Sequence, residues 1–152
     1  MKINTIAMLL LALTIGACGS KGKKNEQQSA QQTSGNVETK SEIQPDHPGK
    51  KVYDSVCLAC HMADGSGVPG MHPPLIETEW VTGDKERLIK LTLEGMSGKI
   101  EVKGEEYNSI MPPHSHLTNK QIADVLTYIR GSFGNNASEV TVEEVQEVRN
   151  SL

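Results

Sequence analysis

Cys57-Leu58-Ala59-Cys60-His61 is the stretch of this chain whose residue types and spacing could do chemistry most directly. Two thiols three positions apart sit on one helical turn, where both can reach the vinyl groups of a haem and form thioether bonds. The adjacent His61 then presents its imidazole to the iron from one side. A redox-active C-x-x-C pair would sit in a βαβ setting, and the flanks here are not of that kind. Half of a zinc site would need further cysteines or a spaced histidine pair, and none completes it. The pattern therefore points to covalent haem on Cys57 and Cys60, with His61 as an iron ligand.

An iron held by one histidine needs a second ligand or stays open. The candidates are Met62, Met71, Met96, Met111, His72, His114 and His116. Ile110-Met111-Pro112-Pro113 favours Met111, because prolines fix φ and remove backbone donors, leaving the methionine on a stiff, non-helical segment. Met62 is too near the attachment helix to cross to the other side, and Met96 has the position of a core side chain at a helix end. His114 and His116 read as solvated loop histidines, either of which could replace Met111 after a modest loop shift. A His/Met pair stabilises reduced iron relative to a His/His pair.

The elements that must position these residues are mostly helical. Pro48 suits a first helical position, and Gly49, Val52, Tyr53 and Val56 follow at i, i+3, i+4, i+7, leading into the cysteine motif. Asp84 caps a second helix to about Glu94, with Leu88, Ile89 and Leu91 inward and Gly95 as a stop. Thr118 with Gln121 forms a capping box and Leu117 with Ile122 a staple, ahead of Ile122, Val125, Leu126, Ile129 and Phe133 at core spacing. Thr141 with Glu144 starts a short last helix carrying Val142, Val145 and Val148. Ile100-Glu101-Val102 and Glu105-Glu106-Tyr107 flank Lys103-Gly104 as a small hairpin. A glycine- and proline-rich loop runs from Gly65 to Pro74.

The N-terminal end reads as an export signal. Met1-Lys2 precedes an apolar run from Ile6 to Ile15, too short to span a membrane. Ile15-Gly16-Ala17-Cys18 then resembles the lipobox of bacterial lipoproteins. That resemblance implies cleavage before Cys18 and lipid on its sulfur, giving a signal peptide at 1–17. With Gly19 rather than Asp next, it leans to the outer membrane in a Gram-negative cell; in a Gram-positive cell the chain would sit on the outer face of the plasma membrane. Residues 18–46 are Gln, Ser, Lys, Glu, Asn and Gly with almost nothing apolar, and are expected to form a disordered tether reaching roughly 30 Å.

From about Pro48 to Phe133 the chain resembles a class I cytochrome c. The resemblance rests on Cys57-Leu58-Ala59-Cys60-His61, Pro73-Pro74-Leu75, and Met111-Pro112-Pro113 just ahead of a terminal helix. It implies an all-α class I cytochrome c fold over 47–152, with the hairpin and an extra short C-terminal helix as additions. It also implies that the first and terminal helices cross at Gly49 beside Tyr53 and Tyr128, and that the Pro73 carbonyl accepts from the iron-binding histidine. Trp80 and Tyr107 become donors to the haem propionates, though Trp80 also fits as plain core. The segments Glu79-Trp80-Val81-Thr82-Gly83-Asp84 and Tyr107-Asn108 are most similar to the c-type domains serving periplasmic dehydrogenases, nitrite reductases and terminal oxidases. Met62 stands where many relatives have Gly.

The totals agree with this reading. The 152 residues leave room for one domain of roughly 90–105 residues beyond the tether. The net charge is −4, and no basic block beyond Lys21, Lys23 and Lys24 argues for nucleic acid. One Trp and one Phe are few for a core built only from side chains, which leaves room for a large bound group. The expected function is a membrane-tethered one-electron carrier with one haem c, not an enzyme, working outside the cytoplasm between a redox donor and acceptor. The alternatives are a haem peroxidase or gas-binding protein with a displaceable Met111, and a thiol oxidoreductase or copper-handling protein using Cys57 and Cys60.

Overall fold

His47 opens the first helix with its own side chain: Nδ1 accepts from the Gly49 amide at 3.0 Å, and Pro48 takes the first helical turn, where no donor is required. The computed structural model describes residues 46–152; the signal segment, Cys18 and nearly all of the tether lie outside the described residues. Helix α1 (Pro48–Val56) breaks at Cys57 and resumes as the single turn α2 (Leu58–His61), so the attachment motif is a second short helix rather than an unbroken continuation.

Helix α3 (Glu79–Thr82) is a turn that sequence periodicity did not announce. Helix α4 (Lys85–Glu94) starts where Asp84 Oδ1 accepts from the Arg87 amide at 2.7 Å, and ends at Gly95. Strands β1 (Ile100–Val102) and β2 (Glu105–Tyr107) pair antiparallel, with Ile100 opposite Tyr107 and Val102 opposite Glu105. Their turn is Lys103-Gly104, with φ of 52° and 81°, the twist that suits a two-residue hairpin. Helices α5 (Asn119–Gly131) and α6 (Val142–Ser151) both carry the complete capping boxes expected of Thr118/Gln121 and Thr141/Glu144.

The core lies where α1, α4 and α6 meet α5. Gly49 lets α1 and α5 touch: a Cβ there would fall 1.9 Å from the Asp124 carbonyl oxygen. Tyr53 and Tyr128 pack at that crossing with ring centroids 5.6 Å apart. Helix α6 lays Val145 and Val148 on α4 and α5, whereas Val142, the first residue of the helix, is exposed. Arg130 is buried in α5 and donates to the carbonyls of Val81, Gly83 and Ser138, tying α5 to α3 and to the tail.

Candidate functional site

The end of α1 and the turn of α2 bring Cys57, Cys60 and His61 to one wall of an apolar crevice. Pro73, Pro74, Leu75 and Trp80 form a second wall; α4 and α5 supply Leu88, Leu91, Val125, Leu126 and Ile129. Met96, Met111 and His114 close it, and Ile100 and Tyr107 of the hairpin line its edge. About 700 Å³ of non-protein space, open mouth included, lies on the Leu75, Trp80 and Val125 side of Cys57 and His61, and about 610 Å³ on the Cys60 and Tyr107 side.

His61 Nδ1 donates to the Pro73 carbonyl at 3.0 Å. That bond fixes the ring and the tautomer, leaving the Nε2 lone pair as the free ligand atom. Burial pushes the His61 proton affinity below its ordinary value against the opposing Pro73 bond, with His72 and His114 adding to the shift, the direction that favours the neutral ring a metal ligand requires. Tyr53 supports the turn from beneath, its hydroxyl donating to the Met62 carbonyl at 2.6 Å.

Met111 is held by its backbone. Its amide donates to the Met96 carbonyl and its carbonyl accepts from the Met96 amide, both at 2.9 Å, an isolated antiparallel bridge. Gly95, with φ of 75°, lets this approach happen, because a Cβ would meet the Met111 oxygen at 2.5 Å and Pro113 N at 2.8 Å. Met96 is thus part of the crevice wall beyond α4, not a core side chain at the end of that helix. Met62 and Met71 are exposed and do not line the crevice.

His114 differs from expectation, and Trp80 and Tyr107 have partners that the sequence did not announce. His114 is not a solvated loop histidine; it is 8% exposed, lines the crevice, and its Nδ1 has no hydrogen-bond partner. Its amide donates to the Thr92 carbonyl at 3.0 Å, which turns the ring inward. Trp80 and Tyr107 both line the crevice. Trp80 Nε1 donates to the Glu101 carbonyl at 3.1 Å and the Tyr107 hydroxyl to Glu105 at 2.7 Å. His116 is exposed, as the sequence suggested.

Thr78 Oγ1, also buried in the crevice lining, is a second polar atom without a partner. No sequence signal marked it. Two unpaired polar atoms in an otherwise apolar crevice, beside two thiols and a free imidazole nitrogen, fit a large, flat, mostly apolar group with a metal and a few polar atoms. The Cys57 thiol is pushed up to about 12 by burial and by the neighbouring Cys60. A reactive redox cysteine needs the reverse shift, so burial does not favour thiol exchange at Cys57. Among the described residues no three His, Cys, Asp or Glu side chains group to hold a bare metal ion.

The family described as cytochrome c matches residues 47–132. Cytochrome c-552 of Thermus thermophilus is 39% identical over 111 residues, a match spanning 66% of this chain and 83% of that protein. The alcohol dehydrogenase (quinone) cytochrome c subunit of Gluconobacter oxydans is 33% identical over 105 residues, spanning 66% of this chain but 22% of the subunit. The gluconate 2-dehydrogenase cytochrome c subunit of Pantoea cypripedii is 36% identical over 109 residues, again 66% of this chain and 24% of the subunit.

Proposed function

The chain belongs to the cytochrome c family, and from that premise we propose a one-electron carrier whose haem c is bonded to Cys57 and Cys60 and ligated by His61 and Met111. The observation that carries the assignment is one crevice lined by both thiols, an imidazole with Nε2 free, and a methionine pinned by its backbone. When bound, haem supplies a one-electron iron couple. The chain's residues do the rest. Pro73 holds the His61 ring angle, the Met96 bridge holds Met111, and the apolar walls keep water from the metal. A soft thioether favours the reduced iron and so raises the potential. A closed, rigid ligand pair changes little between oxidation states, which is what fast electron transfer requires.

The membrane tether follows from the lipobox reading at Cys18, outside the described residues. Lipid there would keep the domain on the outer side of a bacterial membrane. The cytochrome subunits among the relatives support a redox-protein donor and acceptor, with dehydrogenases first and nitrite reductases or terminal oxidases as the other candidates. Loss of membrane association on Cys18→Ser is the expected outcome; unchanged fractionation removes the anchor from the proposal.

The ligand assignment is tested by visible and near-infrared spectra of the haem-loaded protein at controlled potential. Low-spin reduced bands with a methionine-to-ferric-iron charge-transfer band are expected, and Met111→Ala loses that band and lowers the potential. A high-spin or bis-histidine spectrum in the wild type would sink the assignment. One observation favours a second reading, a ligand-binding haem enzyme or sensor: the buried His114 with an unpaired Nδ1 could meet a small molecule at an open iron. Carbon monoxide binding to the reduced wild type at neutral pH would favour that reading over the carrier.

A further inference from the structure

We propose that Arg149, on the last helix, is a positioning residue for the sixth iron ligand, holding shut the loop that carries Met111. The inference rests on the assignment of Met111 to the iron. Arg149 Nε donates to Asn119 Oδ1 at 2.8 Å, Nη1 to the Ser115 carbonyl at 3.0 Å, and Nη2 to the Leu117 carbonyl at 2.8 Å. All three acceptors lie between the methionine loop and the first turn of α5. No carboxylate lies within ion-pair distance of Arg149 among the described residues, so its charge goes wholly to this stretch. A basic residue in the last turn of a helix ordinarily serves its own terminal carbonyls. This one reaches across to another segment.

The loop between Met111 and Thr118 is then fixed at both ends. Upstream stand the Met96–Met111 bridge and the His114 amide on Thr92; downstream stands the guanidinium. Between them Pro112 and Pro113 have fixed φ, which leaves the segment fewer torsions in which to absorb a displacement at Ser115. The helix that carries Arg149 is itself anchored. Val145 and Val148 are buried, Lys85 pairs with Glu144, and Asn119 donates to Gln146 at 2.6 Å. Outward movement of the loop would carry the methionine sulfur away from the iron. Three charge-assisted hydrogen bonds oppose that movement.

The test is the rate at which imidazole binds the ferric holoprotein, which is limited by release of the methionine. Arg149→Ala is expected to speed binding on the order of tenfold while the methionine-to-iron band persists before imidazole is added. Arg149→Lys is expected to fall between, because one ammonium cannot fork to three acceptors. Lys85→Ala removes the pair with Glu144 at the first turn of that helix, the end away from Arg149, leaving the buried Val148 in place, and is expected to bind imidazole at the wild-type rate while its urea midpoint falls. A wild-type rate in Arg149→Ala, or an equal acceleration in Lys85→Ala, would reduce Arg149 to ordinary helix docking and overturn the inference. Should Arg149→Ala fail to fold, the rate in Arg149→Lys decides in the same way. A wild-type spectrum without the methionine band fails the Met111 assignment, and the inference with it. A normal band with an unmoved Arg149→Ala rate fails the inference alone.

Discussion

Met62 follows the attachment motif with φ of 63° and ψ of 164°, a backbone region that is nearly reserved for glycine. Its side chain is 43% exposed and absent from the crevice lining, so nothing in its packing offsets the strain. Met62→Gly is therefore expected to stabilise the holoprotein by about 1 kcal/mol, read as a higher urea midpoint at unchanged slope. A lower midpoint would mean that the thioether packs in a way the exposure does not suggest. His114 carries a pH dependence. Burial, with the His116 ring 5.9 Å away, holds its proton affinity below the ordinary 6.5. Below that pH the unfolded chain takes a proton that the folded chain refuses. The His114 contribution is then full above 6.5 and is lost as pH falls beneath it. His114→Phe is expected to flatten that part of the stability profile; an unchanged slope would assign the dependence to other groups.

At the scale of elements, the α1–α5 crossing is the tightest joint in the fold. Gly49→Ala places a methyl where the Asp124 carbonyl and Tyr128 Cβ already stand, and is expected to cost about 3 kcal/mol by thermal or urea unfolding. A loss below about 1 kcal/mol would show that the helices slide apart cheaply. That joint was expected from the family resemblance, whereas both capping boxes, the Lys103-Gly104 turn and the stop at Gly95 were legible in the residues themselves, because each depends on neighbours in sequence. Helix α3 was not, since four residues are too few for a period and Thr78 makes no side-chain cap. The acceptors that Trp80 and Tyr107 take here were not legible either. For Trp80 the acceptor is a carbonyl 21 positions away, and for Tyr107 it is a carboxylate two positions away that any rotamer could have missed. His114 read as solvated because Pro, Pro and Ser surround it; the Thr92 carbonyl that turns it inward belongs to α4, more than 20 positions earlier.

Over the whole molecule the acidic surface is smaller than a count of glutamates suggests. Glu106 pairs with Lys99 at 2.7 Å and Glu144 pairs with Lys85, while Glu105 accepts from Tyr107 and from the Gly70 amide. Glu101 stands on the hairpin at the crevice edge, whereas Glu143 and Glu147 lie on α6. Electron exchange with a basic redox protein is expected to slow as ionic strength rises, since the chain carries a net charge of −4. Stopped-flow rates should show Glu101→Gln weakening that salt dependence and Glu143→Gln leaving it intact. Equal effects would mean that the partner approaches along no single face.

The pairing of Met96 with Met111 also makes the protein its own clock. Both amide protons sit inside that two-bond bridge, so each can exchange with solvent deuterium only when the loop swings out. Their exchange counts openings directly, without adding any competitor for the metal. In the reduced and oxidised protein the same two protons would report how far a single electron changes the frequency with which the site breathes.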